Sequence, residues 1–135
     1  MNYLILGSAG QIGSALTIYL REKGHSVAEF DLVNNSIIPQ DLRYYNKELQ
    51  EMLNRSDFVF FLAFDVGGSR YLSKYQHTYN FVSNNSRIMD TAFDLLEQSK
   101  KPFIFASSQM SNMSHSPYGV CKAIGEAYTK TLNGL

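Results

Sequence analysis

Apolar residues along this chain alternate between short solid runs and stretches with helical spacing. Residues 2–6, NYLIL, form an apolar run that stops at glycine, as a buried strand does. A Gly-rich turn follows. Ile12, Leu16, Tyr19 and Leu20 then recur at helical spacing through QIGSALTIYLREKG, and Gly24 suits the end of that helix. His25–Asp31 (HSVAEFD) predicts a second strand, and residues 32–40 a loop. Asp41-Leu42-Arg43 reads as the end of a short third strand or of its remnant, and Tyr45–Leu53 as a weak helix. Asp57–Phe64 (DFVFFLAF) is apolar throughout and predicts a strand covered on both faces. Val66-Gly67-Gly68 reads as a loop, and a long helical pattern runs from about His77 to Ser99. After Lys101-Pro102, FIFAS predicts a fifth strand. Ser107–Pro117 is polar and loop-like, and Tyr118–Leu132 predicts a final helix.

Strands and helices therefore alternate, which calls for an α/β fold: a parallel sheet with helices on both faces and right-handed crossovers. The 135 residues suit one domain, with no internal repeat and no boundary within it. Apolar residues make up 44% of the chain, enough for a core. Twelve acidic and twelve basic residues balance to zero, and nothing in that balance suggests an electrostatic binder of nucleic acid or membrane. The N-terminal apolar run is too short to span a bilayer, so a soluble, cytoplasmic protein is expected. Cys121 has no partner for an internal disulfide, and His25, His77 and His115 lack metal-ligand spacing.

Two stretches carry candidate chemistry. The first is GSAGQIG, with Gly7, Gly10 and Gly13, between a strand and a helix. Gly7 suits a tight turn, Gly10 a close approach of backbone to a pyrophosphate, and Gly13 close helix–sheet packing. The helix N-terminus adds free N–H groups and a partial positive charge. Asp31, 18 residues past Gly13, ends the second strand, where a carboxylate can accept hydrogen bonds from an adenosine ribose. Leu32 and Val33 offer no cation to a 2′-phosphate, which favours NAD over NADP. Taken alone, the glycines also fit a tight turn of another α/β protein, and Asp31 also fits a turn cap.

The second stretch is YGVCK. Tyr118 and Lys122 stand four apart, on one face of a helix. A neighbouring ammonium favours tyrosinate, so such a pair suits proton transfer at a hydroxyl. Ser108 ends the fifth strand ten residues earlier and can reach the same oxygen, with Ser107 the neighbouring alternative. By itself the pair also fits a solvated helix face. Cys121 reads as a small residue facing the sheet, and Arg70, Lys74 and Arg87 as a solvated surface.

Together GSAGQIG, the Asp31 strand end, Asp41-Leu42, FFLAF, FIFASS and YGVCKAIGEAY resemble the N-terminal part of an extended short-chain dehydrogenase/reductase, of the NAD-dependent nucleotide-sugar epimerase/dehydratase family. The resemblance implies a doubly wound Rossmann-like sheet of five strands in the order 3-2-1-4-5. It implies NAD along Gly7, Ala9, Gly10, Gln11, Ile12, Gly13, Asp31, Asp41, Leu42, Leu62, Ala63 and Asn80. Tyr118 is then the acid/base, Lys122 binds the nicotinamide ribose, and Ser108 assists. A nucleotide sugar is the implied substrate. A homodimer through the last two long helices is the implied assembly, with Ile88, Phe93 and Ala127 as candidate contacts.

The sequence also departs from the family pattern. It has Phe61-Leu62-Ala63-Phe64 where relatives carry His-Leu-Ala-Ala, and Asn84-Asn85 where they carry Gly-Thr. Asp65–Gly68 resembles the loop of GDP-sugar epimerases, yet Gln109 and Met110 stand where those carry a cysteine. Relatives continue past the equivalent of Leu135 into further strands and a small substrate domain. The expectation is an epimerase/dehydratase, or alternatively a truncated NAD-binding or dimerising module that does not turn over.

Overall fold

The protein, examined as a computed structural model, is described over residues 1–34, 38–66 and 69–135. Strand β1 (Asn2–Leu6) runs through the middle, with Leu4, Ile5 and Leu6 essentially inaccessible to solvent. It pairs in parallel with β2 (Ser26–Phe30) on one side and β3 (Phe58–Phe61) on the other, and β3 pairs with β4 (Phe103–Phe105). The order is β2-β1-β3-β4. The register sets Leu6 level with Phe30 and with Phe61, and Phe61 level with Phe105. All four strands thus end in one row, so the segments leaving them lie side by side. This row positions the site.

Among the described residues the sheet has four strands rather than the expected five, and Asp41-Leu42-Arg43, the expected end of the edge strand, forms a turn. The Asp41 carboxylate accepts the Arg43 backbone N–H at 3.1 Å, and the Asp41 carbonyl accepts the Tyr44 N–H at 3.2 Å. Asp41 thereby folds its own chain into a turn, and the backbone groups that a strand would offer are used locally. Leu42 still enters the core, at 6% exposure.

Helix α1 (Gln11–Glu22) follows β1 and α2 (Lys47–Arg55) precedes β3. Asn46 caps α2 through its side chain, so that helix runs 47–55 rather than 45–53. The expected helix from His77 begins at Tyr79, because the Thr78 hydroxyl accepts the Phe81 N–H and fixes the start of α4 (Tyr79–Ser99). A short helix, α3 (Ser69–Tyr75), precedes it where none was expected. Gly67-Gly68 of the expected loop lie outside the described residues. Helix α5 (Pro117–Thr131) starts on a Ser116 cap with proline in its first turn. No described helix is long and apolar enough to cross a membrane.

Between the sheet and the helices α4 and α5, Phe61, Phe93, Phe103 and Phe105 meet in tilted and edge-to-face pairs 5.3–6.1 Å apart. Phe93 also stacks on Tyr128 of α5. Phe93 and Ile88 are therefore core residues, at 3% and 9% exposure, and do not offer themselves to an interface as the sequence suggested. Ala127 is exposed. Leu135 lies against β4, donating its N–H to the Phe103 carbonyl and accepting the Phe105 N–H.

Candidate functional site

Gly7 leaves β1 at φ +91°, a conformation that costs glycine little. A Cβ there would stand 2.8 Å from the Ala63 nitrogen, so the turn lies directly on the backbone that leaves β3. Gly13 closes the turn from the other side: its Cβ would meet the Gly7 carbonyl oxygen at 2.2 Å. Gly10 is the N-cap of α1 and supplies no side-chain cap. The first N–H groups of α1 are thus left for an outside acceptor.

In front of these groups lies a cleft of about 790 Å³. Gly7, Gly10, Gln11, Ile12 and Gly13 form its floor, Asp31, Asp41 and Leu42 one wall, and Leu62 and Ala63 the other. Ten of the residues expected along a dinucleotide are thereby brought together. Ala9 does not line the cleft but donates its N–H to Asp31 Oδ2 at 2.9 Å, tying the glycine turn to the end of β2. Asp31 Oδ1 accepts the Val33 N–H at 3.2 Å, so this carboxylate does cap a turn. Each oxygen keeps a lone pair for a further donor. Asn80 is exposed on the first turn of α4 and is not part of the lining; Asn84, one turn on, is.

Sequence reasoning missed much of the polar wall. Buried Gln40 accepts the Asp31 N–H at 3.0 Å and the Asn34 side-chain amide at 2.7 Å. Arg43 grips Asp41 through Nε and Nη2, with the closest approach 2.6 Å, and donates Nη1 to Asn84 Oδ1 at 2.9 Å. Asn84 in turn donates to Asp65, which accepts the Tyr71 hydroxyl at 3.0 Å. The Arg43 hydrogen bonds hold the Asp41 carboxyl below its ordinary range, and Asp41 pushes the guanidinium up. Burial, followed by the bond to Asp65, raises the Tyr71 phenol. The signal for this chain in the sequence is only the D-x-R spacing, whose members are two residues apart.

Tyr118 and Lys122 share a face of α5 beyond the β3–β4 end of the cleft. The Tyr118 ring meets Phe64 edge to face at 5.9 Å and Phe81 at 6.5 Å. Lys122 Nζ is 5.9 Å from the Tyr118 ring centre and donates to the Ala106 carbonyl at 2.7 Å. Ala106 and Phe64 both line the cleft, so the pair adjoins it through them. Lys122 is 4% exposed, and its burial lowers the ammonium pKa from 10.5 to about 8. Ser108 caps a 3-10 turn (Gln109–Asn112), its Oγ accepting the Met110 N–H at 3.2 Å. Ser107 instead bonds Glu126, which lowers that carboxyl's pKa. Buried Cys121 faces the core, and its thiol is pushed up by desolvation. Gln76 was not foreseen: its Oε1 accepts the Ser116 hydroxyl at 2.7 Å and the Tyr118 N–H at 3.3 Å, fixing the first turn of α5.

A family model described as the NAD dependent epimerase/dehydratase family matches residues 3–134. Comparison with curated proteins finds no match. Among solved structures, a UDP-galactose 4-epimerase superposes with TM-score 0.76 at 24% identity, covering 97% of this chain and 51% of its own. The UDP-glucose 4-epimerase from Bifidobacterium longum, in complex with NAD+ and UDP, gives 0.71 at 20% identity, with 98% and 49% covered. A short-chain dehydrogenase/reductase superfamily protein from Agrobacterium tumefaciens with bound NAD gives 0.72 at 22%, with 97% and 44% covered. The chain spans about half the length of these structures.

Proposed function

Because the chain belongs to the NAD dependent epimerase/dehydratase family, we propose that it holds NAD in the cleft and serves the epimerisation or dehydration of a nucleotide sugar. One observation carries this reading. An uncapped helix N-terminus opens onto the cleft, and Phe64 and Ala106, which line it, adjoin Tyr118 and Lys122, which supports this reading. The residues fit the cofactor: Gly10 leaves open the space in which a Cβ would stand, and Asp31 retains lone pairs for ribose hydroxyls. When bound, NAD supplies a reversible acceptor for a hydride from the sugar carbon. Tyr118 takes the proton of the hydroxyl on that carbon. Lys122 places a positive charge beside the phenol, and Ser108 supplies a second hydrogen bond to the same oxygen. The UDP-sugar names of the similar structures support a nucleotide sugar as the substrate class.

Two results are expected. NAD should bind at least about tenfold more tightly than NADP, since Arg43 is already engaged by Asp41 and Asn84 and Leu32 carries no charge. Asp31→Ala should weaken NAD by about 1.5–3 kcal/mol. Calorimetry with both dinucleotides checks this, and tighter NADP binding would refute the assignment. For the chemistry, Tyr118→Phe should leave NAD binding near wild type and lower conversion of a UDP-sugar by roughly 10²–10⁴. Proton NMR of the sugar reads it, and an unchanged rate removes Tyr118 from the mechanism. A dinucleotide-holding module without turnover is the second reading, favoured by the burial of Lys122 beneath aromatic rings.

A further inference from the structure

The Lys122 ammonium lies in an aromatic cage. The centre of the Phe64 ring is 3.8 Å from Nζ, that of Phe105 4.9 Å and that of Tyr118 5.9 Å. The Ala106 carbonyl takes one of its protons at 2.7 Å. Among the described residues no carboxylate pairs with it; its charge is met by ring faces and one carbonyl. Phe64 and Ala106 line the cleft, while Lys122 does not. The Phe64 ring, from a residue that lines the cleft, thus packs on the ammonium. The backbone of the preceding residue, Ala63, runs close beside Gly7, where even a Cβ would stand 2.8 Å from the Ala63 nitrogen. Rotation of the ring would uncover the face of Lys122 that it covers.

From this geometry we infer that Phe64 sets the ligand preference of the cleft, which as it stands accepts the adenosine-diphosphate half of a dinucleotide and closes the end that Lys122 serves. The inference rests on the dinucleotide reading above and adds what that reading lacks, a residue that distinguishes the two halves of the ligand. An adenosine diphosphate needs Asp31, the glycine turn and the α1 N-terminus, none of which Phe64 covers. A second ribose seeking Lys122 has first to turn the Phe64 ring away, breaking its contact with the ammonium and its edge contact with Tyr118. The cost falls on NAD and not on ADP. The depressed lysine pKa, about 8, agrees with an ammonium shut off from water by burial. A residue that merely fills the wall behaves differently: truncating it loosens the cleft for both ligands alike.

Calorimetry of the wild type, Phe64→Ala and Phe64→Val with ADP and with NAD separates these cases. ADP should titrate alike in all three proteins, which also reports that the variants fold. NAD should bind about tenfold more tightly to Phe64→Ala than to the wild type, with a smaller gain for Phe64→Val. An NAD affinity equal in all three proteins overturns the inference. So does a gain that ADP shares, or a wild type that prefers NAD to ADP by more than about tenfold. A wild type that binds no ADP overturns the dinucleotide reading itself and the Phe64 inference with it.

Discussion

Lys122→Met should make the chain more stable at pH 7, by about 2 kcal/mol, although it removes a group from the proposed site. The reason is the cost of a buried ammonium. Lys122 is 4% exposed, and desolvation brings its pKa from 10.5 to about 8. Each unit corresponds to about 1.4 kcal/mol, giving a penalty of about 3 kcal/mol. The Phe64 face and the Ala106 carbonyl are contacts that methionine gives up, and their loss offsets part of the gain. The sign follows from the two pKa values. Above pH 10.5 the amine is neutral in both states and costs nothing through its charge. As pH falls towards 8 the unfolded chain takes a proton that the folded chain does not, so wild-type stability drops; below 8 the loss is complete and constant. Urea unfolding at pH 7 and near pH 10.5 should therefore show a clear gap between the two proteins at the lower pH and a narrower one at the higher. A methionine variant that is the weaker protein at pH 7 would show that the cage stabilises the charge outright.

Gly13→Ala should cost about 1–3 kcal/mol of stability and reduce NAD binding by at least about tenfold. The added methyl would stand 2.2 Å from the Gly7 carbonyl oxygen and 2.9 Å from the Ser8 Cα. Neither is a flexible side chain. Gly7 is itself pinned, with its N–H bonded to the Phe30 carbonyl at 2.8 Å and no room for even a Cβ beside Ala63. Helix α1 has to tilt, taking its free N–H groups away from the phosphates. Gly10→Ala gives the contrast. Its φ of −70° suits any residue, and its Cβ would lie an ordinary 3.5 Å from the nearest atom. That variant should unfold near the wild-type midpoint yet bind NAD poorly, because the methyl points into the space of the ligand. Unfolding curves and calorimetry on both variants separate loss of fold from loss of site. Equal stability of Gly13→Ala and wild type would mean that the turn yields more easily than its contacts imply.

The elements with strong local signals were legible in the sequence. NYLIL and FIF could hardly be anything but buried strands, the three glycines announced the turn, and YGVCK fixed which side chains share a face of α5. At the expected end of the edge strand Asp41 reaches its own neighbour two residues on, and local capture of this kind defeats a weak strand preference. Helix α3 escaped notice because SRYLSKY carries little apolar periodicity. The wall from Arg43 to Asn84 and from Asn84 to Asp65 joins residues 41 and 19 apart, and the link from Gln76 to Ser116 spans 40. No short-range pattern encodes such pairs. Phe64 was visible as a departure from the family's usual residue, but only the folded chain places its ring on Lys122.

The glycine in the first turn of α5 sets different degrees of freedom for itself and for the residue it lies against. A Cβ on Gly119 would stand 2.0 Å from the carbonyl oxygen of Met110. That neighbour is main chain, and every amino acid has the same carbonyl. The close approach therefore sets no requirement on the side chain at position 110, whereas nothing larger than hydrogen is accommodated at 119. Among descendants of a common ancestor, position 110 should vary widely and 119 should stay fixed. The 3-10 turn then becomes a place where lineages acquire new chemistry beside Ser108 while keeping the same scaffold.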